Sequence, residues 1–173
     1  INSIVIDENN STVFIKDKYT SIDVGAIAKG YAADYAVKYL KSKGIKVALI
    51  NLGGNVIAIN DKDKESFKTG VVSPNNNDEY IYSFDLSNQS AVTSGNYQRY
   101  YDYNGKRYHH IIDSKTLFPS ENNKEVTVVT NSSLEGDVFS TALFILPYDE
   151  GVKLAKDNNL KVMWIDKNDK QYL

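Results

Sequence analysis

The spacing of hydrophobic residues predicts a hairpin and a long helix near the start of the chain. The stretches SIVID and TVFIK flank a polar turn at 8–11, which is typical of a β-hairpin. Apolar residues then recur at helical spacing from Ala26 to Lys43. Gly44 follows the lysine-rich end and is a natural stop signal, because glycine readily adopts the left-handed conformation after a helix.

Two more helices are predicted in the last third of the chain. Ser132 and Glu135 have the spacing of a capping box before the run 134–146. Residues 149–158 have the pattern of a short helix that precedes a final strand, LKVMWID.

The remaining pattern is mostly that of strands. Asn104 and Gly105 predict a tight hairpin. Residues 60–80 are expected to be loop-rich around TGVV, with a surface turn at Pro74 and residues 75–77. The pattern predicts an α+β domain with one or two mostly antiparallel sheets and two or three helices. The other predicted strands are KVALIN, VIAI, YIYSFDL, SAVTSG, YQRYYDY, KRYHHII and VTVVT.

Composition narrows the classes of function. The 173 residues, 42% of them apolar, are enough for one domain with a real core. A net charge of -2 gives no broad electrostatic case for nucleic acid or an anionic membrane. The chain has no Cys, which excludes disulfides, thiolate metal sites and cysteine catalysis.

The turn into the first helix is one candidate site. Asp23, Gly25 and Lys29 stand where helix-start amides and a cation suit a phosphate group. An ordinary turn with a solvated lysine fits the same pattern. Asp23 is either an acceptor for a substrate group or a helix cap, and the local pattern favours the cap.

Two further clusters add oxygen ligands and imidazoles. Asp137 and Thr141 share a helix face, which suits Mg²⁺ or Ca²⁺, although a helix-start acid and a back-bonding threonine have the same spacing. An imidazole beside Asp113 suits a general base, while a structural histidine is the alternative. His109 and His110 are the only histidines, and at most one faces a site because adjacent strand residues point to opposite sides.

Five segments occur in order along the chain from about residue 20 to 146: DVGAIAKGYAAD, INLGGN, AVTSGNYQRY, HHIID and GDVFSTALFIL. Together they resemble the ApbE-type family of FAD:protein FMN transferases. Family members are normally nearly twice this length, so the resemblance implies that residues 1–173 form a single flavin-transferase-like domain without the family's N-terminal portion. This chain departs from the family at Ser114, where Pro is usual, and at Leu117, where Gly is usual.

The resemblance also implies an activity and a set of site residues. The activity is Mg²⁺-dependent transfer of FMN from FAD to a Thr or Ser hydroxyl of an acceptor protein, with release of AMP. A FAD pyrophosphatase that yields FMN and AMP, or a flavin-binding module without catalysis, are the alternatives. The implied roles are FAD contacts for Asp23, Lys29 and Ile111, Mg²⁺ ligands for the Ala26 carbonyl, Asp137 and Thr141, and catalysis for His110.

The expected partners are FAD and an acceptor protein with a motif of the Asp-Gly-x-Ser/Thr type. This chain contains no Asp-Gly dipeptide, so we expect it to modify another protein. By resemblance, the expected setting is bacterial and extracytoplasmic, on a cell-membrane lipoprotein whose anchor these residues do not contain.

Overall fold

The computed structural model describes residues 3–61 and 66–173, and a six-stranded antiparallel sheet forms its centre. The spatial order of the strands is β12-β11-β10-β7-β4-β3. They span Ala48–Asn51 (β3), Asn55–Ile59 (β4), Ser90–Gly95 (β7), Asn123–Thr130 (β10), Lys161–Asp166 (β11) and Gln171–Tyr172 (β12).

Three two-stranded ladders complete the strands of the described residues. The predicted N-terminal hairpin and the Asn104–Gly105 hairpin are both confirmed. The ladders consist of β1 (Ile4–Asp7) with β2 (Thr12–Ile15), β5 (Phe67–Ser73) with β6 (Asn76–Leu86), and β8 (Tyr100–Tyr103) with β9 (Lys106–His109).

Helices cover one face of the central sheet and the β5–β6 hairpin covers the other. On β10, Val126 and Val128 pack with Leu143 and Phe144 of the second helix. Val129 belongs to the cluster on the opposite face, because side chains alternate along a strand. The helices are α1 (Ala28–Ser42), α2 (Ser133–Ile145) and α3 (Tyr148–Asp157).

The predicted α+β class and the three predicted helices are confirmed. Ser132 is the N-cap of α2 and accepts a 3.3 Å hydrogen bond from the Glu135 amide, as the capping-box spacing predicts. Gly44 has φ of 80° just beyond α1, in agreement with the predicted stop. None of the described helices has the length and apolar character needed to cross a bilayer.

The prediction for residues 60–80 is wrong for most of the segment that the structure describes. Strands β5 and β6 occupy 67–73 and 76–86, and only the turn at Pro74 and Asn75 separates them. Gly70 lies within TGVV, where a glycine favours the prediction of a loop. A Cβ there would lie 3.1 Å from Cγ of Tyr80, so the glycine makes room for a cross-strand ring. Residues 62–65 lie outside the described residues.

The expected number of sheets is also wrong, because the strands of the described residues form four separate sheets. Strand β9 ends at His109, and Ile112 forms only an isolated bridge with Pro119. Within the described residues, three hairpins form sheets separate from the central one: β1–β2, β5–β6 and β8–β9.

Candidate active site

A glycine in α1 lets the starts of α1 and α2 approach closely. Gly30 is buried, and a Cβ at this position would lie 2.7 Å from Cα of Leu134 and would also collide with the Ser133 carbonyl oxygen. Any side chain here would push the helices apart. The close approach brings residues more than 100 positions apart in sequence into one cluster.

Asp137 is the centre of that cluster. Its side chain is almost fully buried, at 2% exposure. The Gly30 amide donates to Oδ2 over 2.9 Å, and Lys29 Nζ lies 3.3 Å from Oδ1. A buried carboxylate requires such partners, because desolvation of an isolated charge is costly. The structure therefore brings together Lys29 and Asp137, which the sequence nominated separately.

The same hydrogen bond affects Ala26, which lies in the exposed turn before α1. In a regular helix the amide of residue 30 would donate to the carbonyl of residue 26. Here the Gly30 amide donates to Asp137 instead. Within residues 3–61 and 66–173, no backbone amide donates to the Ala26 carbonyl, so its lone pairs are available to another partner.

Thr141 lies one helical turn after Asp137 and contacts the central sheet. Its Oγ1 is 3.4 Å from Oγ of Ser94 on β7, and Ser94 Oγ is 2.9 Å from Oγ of Ser140. Three hydroxyls therefore lie in a row between α2 and β7.

The donor set suits a hard divalent cation. A carboxylate, a hydroxyl and a free carbonyl are all oxygen donors of the kind that Mg²⁺ and Ca²⁺ prefer. The described residues contain no group of three or more His, Asp or Glu side chains that could hold a metal ion. A cation here would therefore depend on the single carboxylate of Asp137, supplemented by Thr141 and the Ala26 carbonyl.

A residue that the sequence did not nominate fixes the start of α2. The Asp34 carboxylate accepts hydrogen bonds from Ser132 Oγ (2.7 Å), the Ser133 amide (2.8 Å) and the Leu134 amide (3.0 Å). Asp34 lies one turn after Gly30 in α1, on the same face. The sequence held one signal for this contact, because Asp34 lies on the small-residue face of α1. An acid on a packed helix face needs hydrogen-bond partners from another element.

Asp23 does not cap α1, so the cap prediction is wrong. The N-cap residue is Ile27, which makes no side-chain cap bond. Asp23 Oδ1 instead accepts the Gly25 amide at 2.6 Å in the exposed loop that precedes the helix. The carboxylate closes a local turn four residues before the N-cap position, too far from the helix to accept its first amides.

The two histidines face opposite environments, as predicted for adjacent strand residues. His109 is buried and its ring packs edge-on against Phe144, with 5.5 Å between ring centres. The Ile111 amide donates to Nδ1 (3.3 Å), so Nε2 carries the hydrogen and donates to the Ser120 carbonyl (2.9 Å). Burial lowers the pKa of His109, which reinforces the neutral form.

His110 is exposed and therefore accessible to a substrate. Its Nδ1 lies 3.2 Å from the Arg99 carbonyl, and its backbone amide also donates to that oxygen. No hydrogen bond in the described part of the chain joins His110 to Asp137 or Lys29. The structure thus brings the Lys29 and Asp137 pair together but gives His110 no direct contact with it.

The side chain of Ile111 is buried in the core cluster with Phe144. Its backbone amide donates to His109 and its carbonyl accepts from Ser120. A contact of Ile111 with a dinucleotide therefore stays a prediction.

The loop after the histidines keeps the conformation that a glycine would favour. Leu117 has φ of 62°, in the left-handed region. Its amide donates to the Asp113 carbonyl (2.8 Å), and the Asp113 amide donates to the Phe118 carbonyl (2.9 Å). Leu117 therefore has a backbone conformation that glycine adopts without strain.

Comparison with known proteins finds several relatives of this chain. A FAD:protein FMN transferase from Klebsiella pneumoniae is 37% identical over 168 residues, which cover 95% of this chain and 52% of that protein. One from Treponema pallidum is 32% identical over 157 residues, covering 84% of this chain and 43% of that protein. The chain thus spans about half the length of these curated relatives.

The fold similarity is equally extensive. The crystal structure of the ApbE protein from Thermotoga maritima superposes with a TM-score of 0.90 at 28% identity, covering 99% of this chain and 56% of that one. The model of the ApbE family matches residues 1–164, nearly the whole sequence. The predicted family is therefore confirmed, and this chain belongs to the ApbE family.

Proposed function

We propose that this chain carries the catalytic machinery of a Mg²⁺-dependent FAD:protein FMN transferase. The observation that supports this most is the buried Asp137 carboxylate, which the Gly30 amide and Lys29 hold in place. Because the Gly30 amide is directed to Asp137, no backbone amide of the described residues donates to the Ala26 carbonyl. The names of the relatives from Klebsiella pneumoniae and Treponema pallidum describe the same activity.

Asp137, Thr141 and the Ala26 carbonyl would hold the cation. When bound, Mg²⁺ neutralises phosphate charge that grows as a P–O bond of the FAD pyrophosphate breaks. Lys29 adds a positive charge beside the same carboxylate, with Nζ 3.3 Å from Asp137 Oδ1. Its side chain is 40% exposed, so a substrate phosphate can also contact it from solvent.

His110 is the proposed proton acceptor. The Thr or Ser hydroxyl of the acceptor protein attacks the FMN phosphorus, and its proton passes to the exposed imidazole. A new P–O bond joins FMN to the acceptor, the pyrophosphate P–O bond breaks, and AMP leaves with the bridging oxygen. His109 is excluded from this role, because it is buried and both ring nitrogens already have partners.

The test uses the natural full-length protein that contains this sequence, with FAD, Mg²⁺ and an acceptor peptide of the Asp-Gly-x-Ser/Thr type. Mass spectrometry of the peptide and chromatography of AMP should show equal amounts of FMN-modified peptide and AMP. Asp137→Asn and His110→Ala should each lower the rate by at least about a hundredfold. Asp157→Asn, an exposed acid at the end of α3, is the matched control.

The outcomes distinguish the alternatives. Release of free FMN and AMP without peptide modification would assign a FAD pyrophosphatase instead. FAD binding that is insensitive to Mg²⁺, with no AMP released, would assign a flavin-binding module. Either result overturns the transferase proposal.

A further inference from the structure

In the row of hydroxyls between β7 and α2, the direction of one hydrogen bond is fixed at the Ser140 end. Ser140 is fully buried and its hydroxyl donates to the Asp137 carbonyl oxygen over 3.2 Å. A carbonyl oxygen can only accept, and a serine hydroxyl has one hydrogen. The hydrogen of Ser140 is therefore committed to Asp137.

The direction of the other two hydrogen bonds follows. The hydroxyls of Ser94 and Ser140 are 2.9 Å apart, and because Ser140 has no hydrogen left, Ser94 donates to it. The hydroxyls of Ser94 and Thr141 are 3.4 Å apart, and since the hydrogen of Ser94 is now committed, Thr141 donates to Ser94. The relay runs from Thr141 to Ser94, then to Ser140, and ends at the backbone of Asp137.

This direction matters for binding a cation. A hydroxyl that binds a metal ion must offer a lone pair and direct its hydrogen elsewhere, and groups behind a ligand commonly set that orientation. We propose that Ser94 is a positioning residue, which takes the hydrogen of Thr141 so that Thr141 Oγ1 offers a lone pair to the divalent cation. The inference rests on the metal site of the proposed function and adds a residue to it.

The close packing of α2 against β7 supports this row of hydroxyls. Gly136 lies over Val92 of β7, and a Cβ at Gly136 would be 2.7 Å from Cγ2 of Val92. The absence of that side chain lets α2 approach β7 closely. Ser140, one turn further along α2, then reaches Ser94, two residues further along β7.

The test measures cation affinity instead of turnover. Mg²⁺ is titrated by calorimetry, and Mn²⁺ by electron paramagnetic resonance, with and without FAD. Ser94→Ala should weaken cation binding by about tenfold or more. Ser90→Ala is the matched control, because Ser90 is a buried serine on the same strand whose hydroxyl donates to the Val56 carbonyl, away from the site. Its affinity should equal that of the wild type.

A double-mutant cycle tests whether Ser94 acts through Thr141. Thr141→Val should weaken binding on its own, and Ser94→Ala should add nothing in the Thr141→Val background. Thermal unfolding of each variant verifies that it is folded.

Each other outcome has a distinct meaning. If the wild type binds the cation, Asp137→Asn does not, and Ser94→Ala binds as tightly as the wild type, the relay is wrong while the proposed site stands. A Ser94→Ala loss that persists in the Thr141→Val background also overturns the relay, since Ser94 would then act without Thr141. Absence of cation binding by the wild type under all these conditions overturns both proposals.

Discussion

The Asp34 carboxylate accepts a 2.7 Å hydrogen bond from the hydroxyl of Ser132, the residue that caps α2. The same carboxylate accepts the amides of Ser133 and Leu134, so one acid of α1 satisfies three donors at the start of α2. These amides have no partners inside their own helix. The orientation of α2, and with it the place of Asp137, depends on this contact.

Replacement of Asp34 by Ala should therefore destabilise the protein by about 2–3 kcal/mol, because the three donors at the start of α2 lose their carboxylate acceptor. Urea denaturation measures this change. Lys38→Ala, at an exposed position of the same helix, should change the free energy of unfolding by about 0.5 kcal/mol or less. Equal effects of the two substitutions would show that the Asp34 hydrogen bonds are not a source of stability.

Features with local causes were predictable from the sequence. The Asn104–Gly105 turn has φ of 49° and 75°, which are conformations that these two residue types adopt most readily. The N-cap at Ser132 and the stop at Gly44 depend on residues within one helical turn. Physical rules of short range were sufficient for each.

Features that depend on distant contacts were not predictable in this way. The hydrogen bonds that Asp34 accepts connect residues 98 to 100 positions apart, and no local pattern identifies their donors at the start of α2. The sequence singled out Lys29 and Asp137 separately, each from its local pattern, and the family resemblance gave them roles. Only the fold shows that they touch. Gly70 was misleading, because it has the same local signal as a loop glycine but makes room for Tyr80 across the strand pair.

Two helical glycines should respond oppositely to alanine. In Gly30→Ala the new methyl group would meet the backbone of Ser133 and Leu134, which cannot move aside without separating α1 from α2. We expect a loss of about 1–3 kcal/mol. In Gly151→Ala the methyl group would lie 3.5 Å from Leu143 and 3.6 Å from Trp164, an ordinary contact distance.

Gly151→Ala should therefore stabilise the protein by about 0.5–1 kcal/mol, because alanine favours a helix interior more than glycine does. Urea denaturation of both variants gives the comparison. Gains in stability from both would mean that α1 and α2 do not touch at Gly30.

The left-handed conformation of Leu117 predicts another stabilising change. The residue has φ of 62°, which strains the backbone of a residue with a Cβ. It is 76% exposed, so burial of its side chain contributes little stability to offset that strain. Leu117→Gly should raise the free energy of unfolding by about 1 kcal/mol. Leu117→Ala keeps the Cβ that causes the strain and should give no such gain. If alanine and glycine stabilise equally, the strain is not at this backbone position.

Glu125 should make stability fall as pH rises. It lies on β10 between β7 and β11, where it pairs with Gly95 and Ile165, and it is 1% exposed. No Lys, Arg or His in the described residues forms an ion pair with it. Burial raises the pKa of Glu125 from 4.5 to about 7, because the charged form loses its hydration.

The sign follows from proton binding in the two states. Between pH 4.5 and about 7 the folded protein holds a proton on Glu125 that the unfolded chain has released, so stability decreases over this range. The contribution is fully present below pH 4.5 and is lost above about pH 7. A shift of this size corresponds to about 3 kcal/mol.

Glu125→Gln keeps the shape of the neutral acid and cannot ionise. Its free energy of unfolding should match that of the wild type near pH 4.5 and exceed it by about 3 kcal/mol at pH 8. Urea denaturation at several pH values measures the difference in free energy of unfolding between the variant and the wild type. The titration of all other carboxylates is common to both proteins and cancels in this difference. Glu79→Gln, at an exposed position of β6, should show no such divergence. A constant difference between the Glu125→Gln variant and the wild type across this pH range would mean that Glu125 ionises as easily in the folded protein as in the unfolded chain.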